Sequence, residues 1–296
     1  MSATTVIDEI NGVWTGLGAQ GFLFAEHLGT HRSLGIRESA RIPLASVGKV
    51  AVIAGLLDAA ADGAVDLTQR LLVDPAHSTP GGTGIAGLLD PVEMSVRDLA
   101  AMALSVSDNA AADTLFDLVG PDRIMTVLHR GGIRSFEVTS PMSHLYDVLA
   151  EVAAGDEAQA LAVAAADARS GRVPQLPDSA FNTGTVRATA KLFELIHTGR
   201  LLGPEGSATL RRLLQKQIFR HRIAAGFPMD AVQYYGKTGT FLNFRHEAGV
   251  VVDSDGSAYS IAVFTRSSIA TFSQPELDAS IGYCARLAIE HLRTLG

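Results

Sequence analysis

The stretch PLASVGKVAVIAGLL, residues 43–57, sets a serine and a lysine three positions apart at the head of an apolar run. A cation is unfavourable in the first turn of a helix, where the macrodipole is positive, and it is costly to bury. On a helix, positions i and i+3 share a face, so the Ser46 hydroxyl and the Lys49 ammonium are expected to be neighbours. A lysine desolvated there gives up its proton more readily, and the neutral amine can accept the proton of the serine. The backbone N–H of a first-turn serine is also unpaired and available to an oxyanion. Beyond Lys49, the residues Val50, Ile53, Leu57 and Ala60 follow at helical spacing until Gly63 stops the run.

Working outward, residues 4 to 14 predict a short helix, and GFLFAEHL and SLGIRESARI read as two β runs joined by GTH. SVRDLAAMALSVSDNAAADTLFDLVG supplies two helical segments, the first opened by Ser95 with Asp98 three residues on, a capping-box variant. GPDRIMTVLHRGG adds another that ends at Gly131. Residues 135–180, Ala-rich and flanked by Pro141, Pro174 and Pro177, read as loop, helix, loop, and 185–216 as helix broken at TGRLLGPEG. Residues 231–293 read as three strands and a last amphipathic helix, with DSDG as a hairpin turn. Strands at both ends and helices between them predict an α+β fold. Its mixed α/β domain, with an antiparallel sheet built by both termini, takes residues 1–45 and 217–296. An all-helical domain, 46–216, is inserted, and the site is expected between the two.

Composition narrows the function. Of the 296 residues 47% are hydrophobic and 19% charged, as in an ordinary globular chain, and a net charge of −7 argues against a nucleic-acid footprint. Cys284 is the only cysteine, so no intrachain disulfide forms, and its neighbours Ile281, Leu287 and Ala288 place it on an apolar helix face. No apolar run of about 18 residues marks a membrane span. The start, MSATTVIDEINGVW, has neither a basic end nor an apolar core, so a cytoplasmic location is expected, with export requiring a leader ahead of it. GLGAQG (Gly16, Gly18, Gly21) and GTGIAG (Gly82, Gly84, Gly87) match a dinucleotide fingerprint, but neither lies between a strand and a helix, so both read as turns. H-E-x-x-H and G-x-S-x-G are missing from the sequence. No metal or cofactor is expected.

Two further motifs give Ser46 and Lys49 a context. SDN stands at Ser107, Asp108 and Asn109, and KTG at Lys237, Thr238 and Gly239, followed by Thr240. S-x-x-K, S-D-N and K-T-G, in that order and spaced by 61 and 130 residues, are the signature of penicillin-recognising serine enzymes. The chain resembles the class A β-lactamase family over nearly its whole length, from about residue 13 onward. RIPLASVGKV resembles that family's nucleophile helix, MSVRDLAAMALSVSDNAAADTL its S-D-N region, and AAGFPMDAVQYYGKTGT its K-T-G strand.

The resemblance implies an acyl-enzyme on Ser46, with Lys49 as proton acceptor or its electrostatic helper. Ser107 would pass a proton to the leaving nitrogen, and Asn109 would bind the substrate amide and Lys49. Asp108 would hold its loop. Lys237 would supply positive potential, Thr238, Gly239 and Thr240 would line the substrate-carboxylate site, and the N–H groups of Ser46 and Thr240 would form the oxyanion hole.

The chain also departs from that family. The Glu-x-x-Leu-Asn pattern that carries the deacylating base is missing between 135 and 180, where Glu137 leads into VTS, Glu151 into VAA and Glu157 into AQA. Asp147 and Glu151 stand as alternatives, in helical texture that equally suits a solvated face, and His144 and Tyr146 lie nearby. Without a positioned base, deacylation is expected to slow by about 100- to 10,000-fold. FLNFRHEAG, after K-T-G, is bulky and aromatic, which suits an apolar acyl group, and Arg245 within it is a candidate carboxylate ligand. The expected partner is a small acyl substrate, a β-lactam or an ester. Hydrolysis of a β-lactam is the first expectation. A cytosolic esterase, a D-Ala-D-Ala-type peptidase, and a binding module that stays acylated are the alternatives.

Overall fold

Four strands of one sheet send alternate side chains into two different cores, and this alternation builds the molecule. The structure, a computed structural model, describes residues 2–152, 177, 180–227, 232–269, 271 and 273–295. In chain order the strands are β1 (Ala19–His27), β2 (Ser33–Ile36), β3 (Ile42–Pro43), β4 (Arg70–Val73), β5 (Val92–Ser95), β6 (Phe136–Glu137), β7 (Thr183–Gly184), β8 (Val232–Phe241), β9 (Phe244–Asp253) and β10 (Ala258–Ser267). The main sheet has the order β2-β1-β10-β9-β8 with antiparallel neighbours, so β8, which carries K-T-G, is an edge strand.

The described α-helices are α1 (Ala3–Gly16), α2 (Lys49–Ala61), α3 (Val96–Ser105), α4 (Asn109–Val119), α5 (Pro121–Arg130), α6 (Ser143–Val152), α7 (Val186–His197), α8 (Gly203–Gln215) and α9 (Pro275–Thr294). Side chains alternate across a strand. Leu23 and Ala25 therefore face a core shared with α1 and α9, whereas Phe22 and Phe24 face the core that holds α2 to α5. Val251 and Val263 join the first core, Val250 and Phe264 the second. Cys284 lies fully buried in the first, with its thiol pKa pushed up to about 12 by burial, as befits a packing residue.

The termini do build the sheet, but the middle of the chain is not all helix. β4 and β5 form a ribbon, and β3, β7 and β6 a three-stranded sheet that ties residues 42–43 to 136–137 and 183–184. Helix α7, within the segment expected to be a separate helical domain, packs on β1, β9 and β10. Periodicity identifies an apolar face on such a helix and not the surface that covers it. SLGIRESARI is also divided. β2 ends at Ile36, Arg37 takes a left-handed φ of +46°, and its guanidinium donates to the Gly21 carbonyl (2.8 Å) and Asn11 Oδ1 (2.9 Å). Most of the Ala-rich stretch after residue 152, with Glu157, lies outside the described residues.

Neither G-x-G-x-x-G stretch bridges strand and helix as a nucleotide loop would: the first leaves α1 for β1, and the second enters a single 3₁₀ turn, Gly84–Gly87. Among the described residues no helix is long and apolar enough to cross a membrane, and no group of three His, Cys, Asp or Glu side chains is placed to hold a metal.

Candidate active site

Ser46 does not share an α-helix with Lys49. It lies in a 3₁₀ turn, Ala45–Gly48, that runs into α2 at Lys49. Lys49 caps that turn with its backbone N–H on the Ser46 carbonyl, so the two residues stand one turn apart, and the Lys49 amine is held by the opposite wall instead of by the Ser46 hydroxyl. Ala45, just before Ser46, takes φ +46°, and Ser107, on the opposite wall, takes φ +63°. Left-handed φ at a residue other than glycine costs of order 1–3 kcal/mol and persists where the surroundings impose it.

β8 presses on this turn. A Cβ on Gly239 would stand 2.9 Å from the Leu44 carbonyl and 3.1 Å from Val47 Cγ2, so only glycine lets the strand approach. From β9, His246 donates from Nε2 to the Pro43 carbonyl (2.9 Å) and accepts at Nδ1 from Thr265 N–H (3.3 Å), with its ring stacked on Phe264. Burial drives its pKa down to about 3 from an unperturbed 6.5, so the ring is neutral in the fold. A depressed histidine pKa stabilises the fold fully above pH 6.5, and that stability is lost by ~1.4 kcal/mol per unit as pH falls toward 3. His246→Gln, which keeps an amide for both contacts but does not titrate, should flatten the loss of urea midpoint between pH 6.5 and 4.5. An unchanged slope in that variant would assign the acid sensitivity elsewhere.

The second wall supplies the S-D-N groups. Asp108 caps α4, accepting from Ala111 N–H (3.2 Å), and its other oxygen accepts from Ile85 N–H (2.8 Å). Gly84 takes φ +77°, and a Cβ there would lie 2.3 Å from that carboxylate. The cap turns Ser107 and Asn109 toward Lys49. Lys49 Nζ donates to the Ser107 carbonyl, to Asn109 Oδ1 (2.6 Å) and, at 3.5 Å, to Ser107 Oγ. Its side chain is only 1% exposed, and burial lowers its pKa to about 7 against the opposing pull of the Asp113 and Asp108 charges. Near neutrality a large share of molecules therefore carries a neutral amine at Lys49, one turn from Ser46.

Lys237, fully buried, donates to Ser107 Oγ (3.0 Å) and the Thr238 carbonyl (2.9 Å), and burial with the neighbouring Lys49 charge holds its pKa well below the usual range. The Ser107 hydroxyl thus lies between two amines, suited to passing a proton.

Ser46, Ser107, Asn109, Thr238 and Thr240 all line one cavity of about 370 Å³, together with Arg222, Arg245, His221, Asp278 and Phe219. Strand parity locates a backbone donor. Thr238 N–H points off the free edge of β8, to Gln217 Oε1 (2.6 Å), and two residues on Thr240 N–H faces the same way. It is the N–H that the motifs pair with that of Ser46, and both residues line the cavity.

Several expected roles change. The Thr238 hydroxyl donates inward to Gln217 Oε1 (2.9 Å), so its proton is not offered to substrate. Thr240 Oγ1 accepts from Arg222 Nη2 (2.7 Å), which leaves its own proton for the cavity. Gly239 contributes a close approach instead of a ligand contact. Arg245 lines the cavity, but it is 1% exposed and its guanidinium donates to the carbonyls of Leu242 (2.8 Å), Phe244 (2.8 Å) and Thr271. These bonds brace the β8–β9 turn. Both Asn109 amide hydrogens are used, on the Pro80 carbonyl (2.7 Å) and the Tyr146 hydroxyl (3.2 Å), so a substrate amide must displace the tyrosine.

Of the four candidate bases, Asp147 and Glu151 are exposed on α6 and His144 is half-buried outside the cavity lining. Tyr146 alone reaches the site, and it packs edge-on against Phe241, which meets Phe181 in the same way. The aromatic character seen in FLNF thus closes a cluster beside the cavity.

Motif reading missed Arg222, Gln217 and Glu247. Arg222 Nη1 donates to the carbonyls of Gly239 (2.9 Å) and His246 (2.7 Å), and Nε to Asp278 (2.7 Å). In the sequence they stand in QKQIFRHRIAAG and RHEAG, which carry charge but no spacing that sets them apart.

A family model described as "Beta-lactamase enzyme family" matches residues 5–292. The Streptomyces cacaoi protein named "Beta-lactamase regulatory protein BlaB" is 36% identical over 292 residues, 93% of this chain and 94% of that one. Among solved structures, a β-lactamase from Sphaerobacter thermophilus superposes with a TM-score of 0.79 at 22% identity, covering 98% of this chain and 97% of its own. A PBP-A variant, solved as an acyl-enzyme complex with penicillin G, superposes at 0.78 with 18% identity, 98% and 97% covered. At these identities the two structures bear on the fold.

Proposed function

Because the chain belongs to the beta-lactamase enzyme family, we propose that Ser46 is acylated by β-lactams and that the acyl-enzyme is released slowly. The observation that carries this is Lys49, a buried amine with its pKa brought to about 7, held by Ser107 and Asn109 one turn from the nucleophile. Neutral Lys49 takes the proton of Ser46 as Oγ bonds to the lactam carbonyl carbon. The charge that develops on the carbonyl oxygen meets the N–H groups of Ser46 and Thr240. As the C–N bond breaks, the nitrogen takes a proton from Ser107 Oγ, which is replenished from the adjacent amines.

Slow release is supported by the placing of the candidate bases among the described residues. The two carboxylates face solvent, and the Tyr146 hydroxyl is engaged by Asn109. The name of the 36% identical relative favours a second reading, a regulatory module for which the adduct itself is the signal.

Intact-mass measurement after incubation with benzylpenicillin tests both. An adduct of the penicillin's mass that persists for minutes or longer, and is lost in Ser46→Ala, is the expected result. No adduct would overturn the acyl-enzyme reading. Rapid loss of the adduct, with steady turnover of a chromogenic cephalosporin, would mean an efficient β-lactamase and would overturn slow release. Cleavage of a nitrophenyl ester without a penicillin adduct would point to the esterase alternative.

A further inference from the structure

Behind K-T-G lies a buried polar relay that no motif announces. Gln217, 4% exposed, follows α8, and its Oε1 accepts from both Thr238 N–H (2.6 Å) and the Thr238 hydroxyl (2.9 Å). Its Nε2 donates to Glu247 Oε1 (3.2 Å), on β9 opposite Thr238. Glu247 is fully buried, and its second oxygen accepts from Ile223 N–H, next to Arg222.

We infer that Gln217, oriented by Glu247, is a positioning residue that sets the free edge of β8, and through it the Thr240 N–H, against the carbonyl attacked by Ser46. This deepens the acyl-enzyme reading above and rests on it.

The argument is geometric. An edge strand has no neighbour to hold its outer N–H and C=O groups in place. Here the outer groups of Thr238 are taken on both sides, the N–H by Gln217 and the carbonyl by Lys237. The next outward N–H, two residues along, is that of Thr240, so the tie lies one pleat from the oxyanion donor. A glutamine flipped about its amide would set its own hydrogens against Thr238 N–H, donor against donor, and lose that tie. Glu247 prevents that flip, because it accepts from Nε2 and leaves Oε1 for Thr238. Arg222, Lys237 and Tyr234 are the charged and titratable groups that face Glu247, and burial raises its pKa to about 7.

The relay can be broken and rebuilt by side-chain exchange. Gln217→Leu removes the acceptor and leaves Thr238 N–H unpaired. The rate of acylation by saturating benzylpenicillin should fall about 100-fold, the usual effect of losing one oxyanion donor, with half-saturation changed less than about threefold. Gln217→Glu keeps an acceptor for Thr238 but sets two carboxyls face to face, so one proton must be shared between them. Its rate relative to the unmodified protein should rise as pH falls from 8 to 6. Combining Gln217→Glu with Glu247→Gln restores one amide and one carboxylate in reversed order, and should recover the rate to within about fivefold at pH 8.

A Gln217→Leu protein that acylates normally would overturn the inference, as would a reversed pair no better than Gln217→Glu alone. If the unmodified protein forms no adduct, the acyl-enzyme reading fails by itself. Amide hydrogen exchange still reads the positioning. Thr238 and Thr240 should exchange faster in Gln217→Leu than in the unmodified protein, and equal rates would overturn it.

Discussion

Replacing Lys49 with methionine is expected to slow acylation of Ser46 by about a thousandfold or more, within the range assigned to a lost general base. Methionine matches the lysine stem in length and suits an enclosed, largely apolar surrounding. The loss should therefore come with the fold intact, as circular dichroism would check. The sign of the pH dependence follows from burial. With the amine titrating at about 7, acylation by the unmodified protein should rise about tenfold per pH unit below that value and level off above it. The slope should vanish in Lys49→Met. Lys237 is the competing base, since its pKa is also held low, but its amine is placed on Ser107 and the Thr238 carbonyl. A Lys49→Met protein that acylates at the normal rate with its pH slope unchanged would move the role to Lys237.

The second large effect concerns Asp108, in the middle of S-D-N. Its carboxylate is 0% exposed and serves two buried N–H groups, those of Ile85 and Ala111. Asp108→Ala removes a helix cap and orphans a second donor. Together these cost about 2–4 kcal/mol of stability, read as a lower urea midpoint. Acylation per folded molecule should stay within about tenfold, because the side chain does not reach the cavity lining. Asp108→Asn retains one oxygen acceptor and should recover about half of the stability. A variant with normal stability and no acylation would make Asp108 a participant in the chemistry instead.

Both expectations separate roles that share one motif. Ser107 and Asn109 line the cavity and hold Lys49, whereas the aspartate between them caps the helix that follows. The strained φ of Ser107 lies next to that cap. The Gly84 turn packs so closely on the Asp108 carboxylate that a Cβ there would lie 2.3 Å from it, so the segment is backed by packing as well as by the cap.

Much of this was legible before any coordinates. S-x-x-K, S-D-N and K-T-G single out Ser46, Lys49, Ser107, Asn109 and Lys237, and the structure brings these residues to one cavity and one hydrogen-bond network. The strands of both termini, the helices of the middle and the buried Cys284 follow from periods of 2 and 3.6. Where residues that touch are distant in the chain, the sequence is silent. Gln217 and Glu247 are thirty residues apart, and no local pattern says that one holds the other. Arg222 and Arg245 look alike in the sequence, and only the backbone carbonyls around each separate a guanidinium that grips Gly239 and Thr240 from one spent on a turn.

By itself, then, the sequence determined the family, the side chains that are candidates for its chemistry, and the kinds of element that hold them. The tertiary structure alone decided that Lys49 is dry enough to lose its proton near neutrality, that Thr238 turns its hydroxyl inward, and that α7 lies on the sheet. The physical reason is common to all three. Desolvation, hydrogen-bond direction and packing partner depend on which distant segment comes to lie alongside, and chain order does not record that.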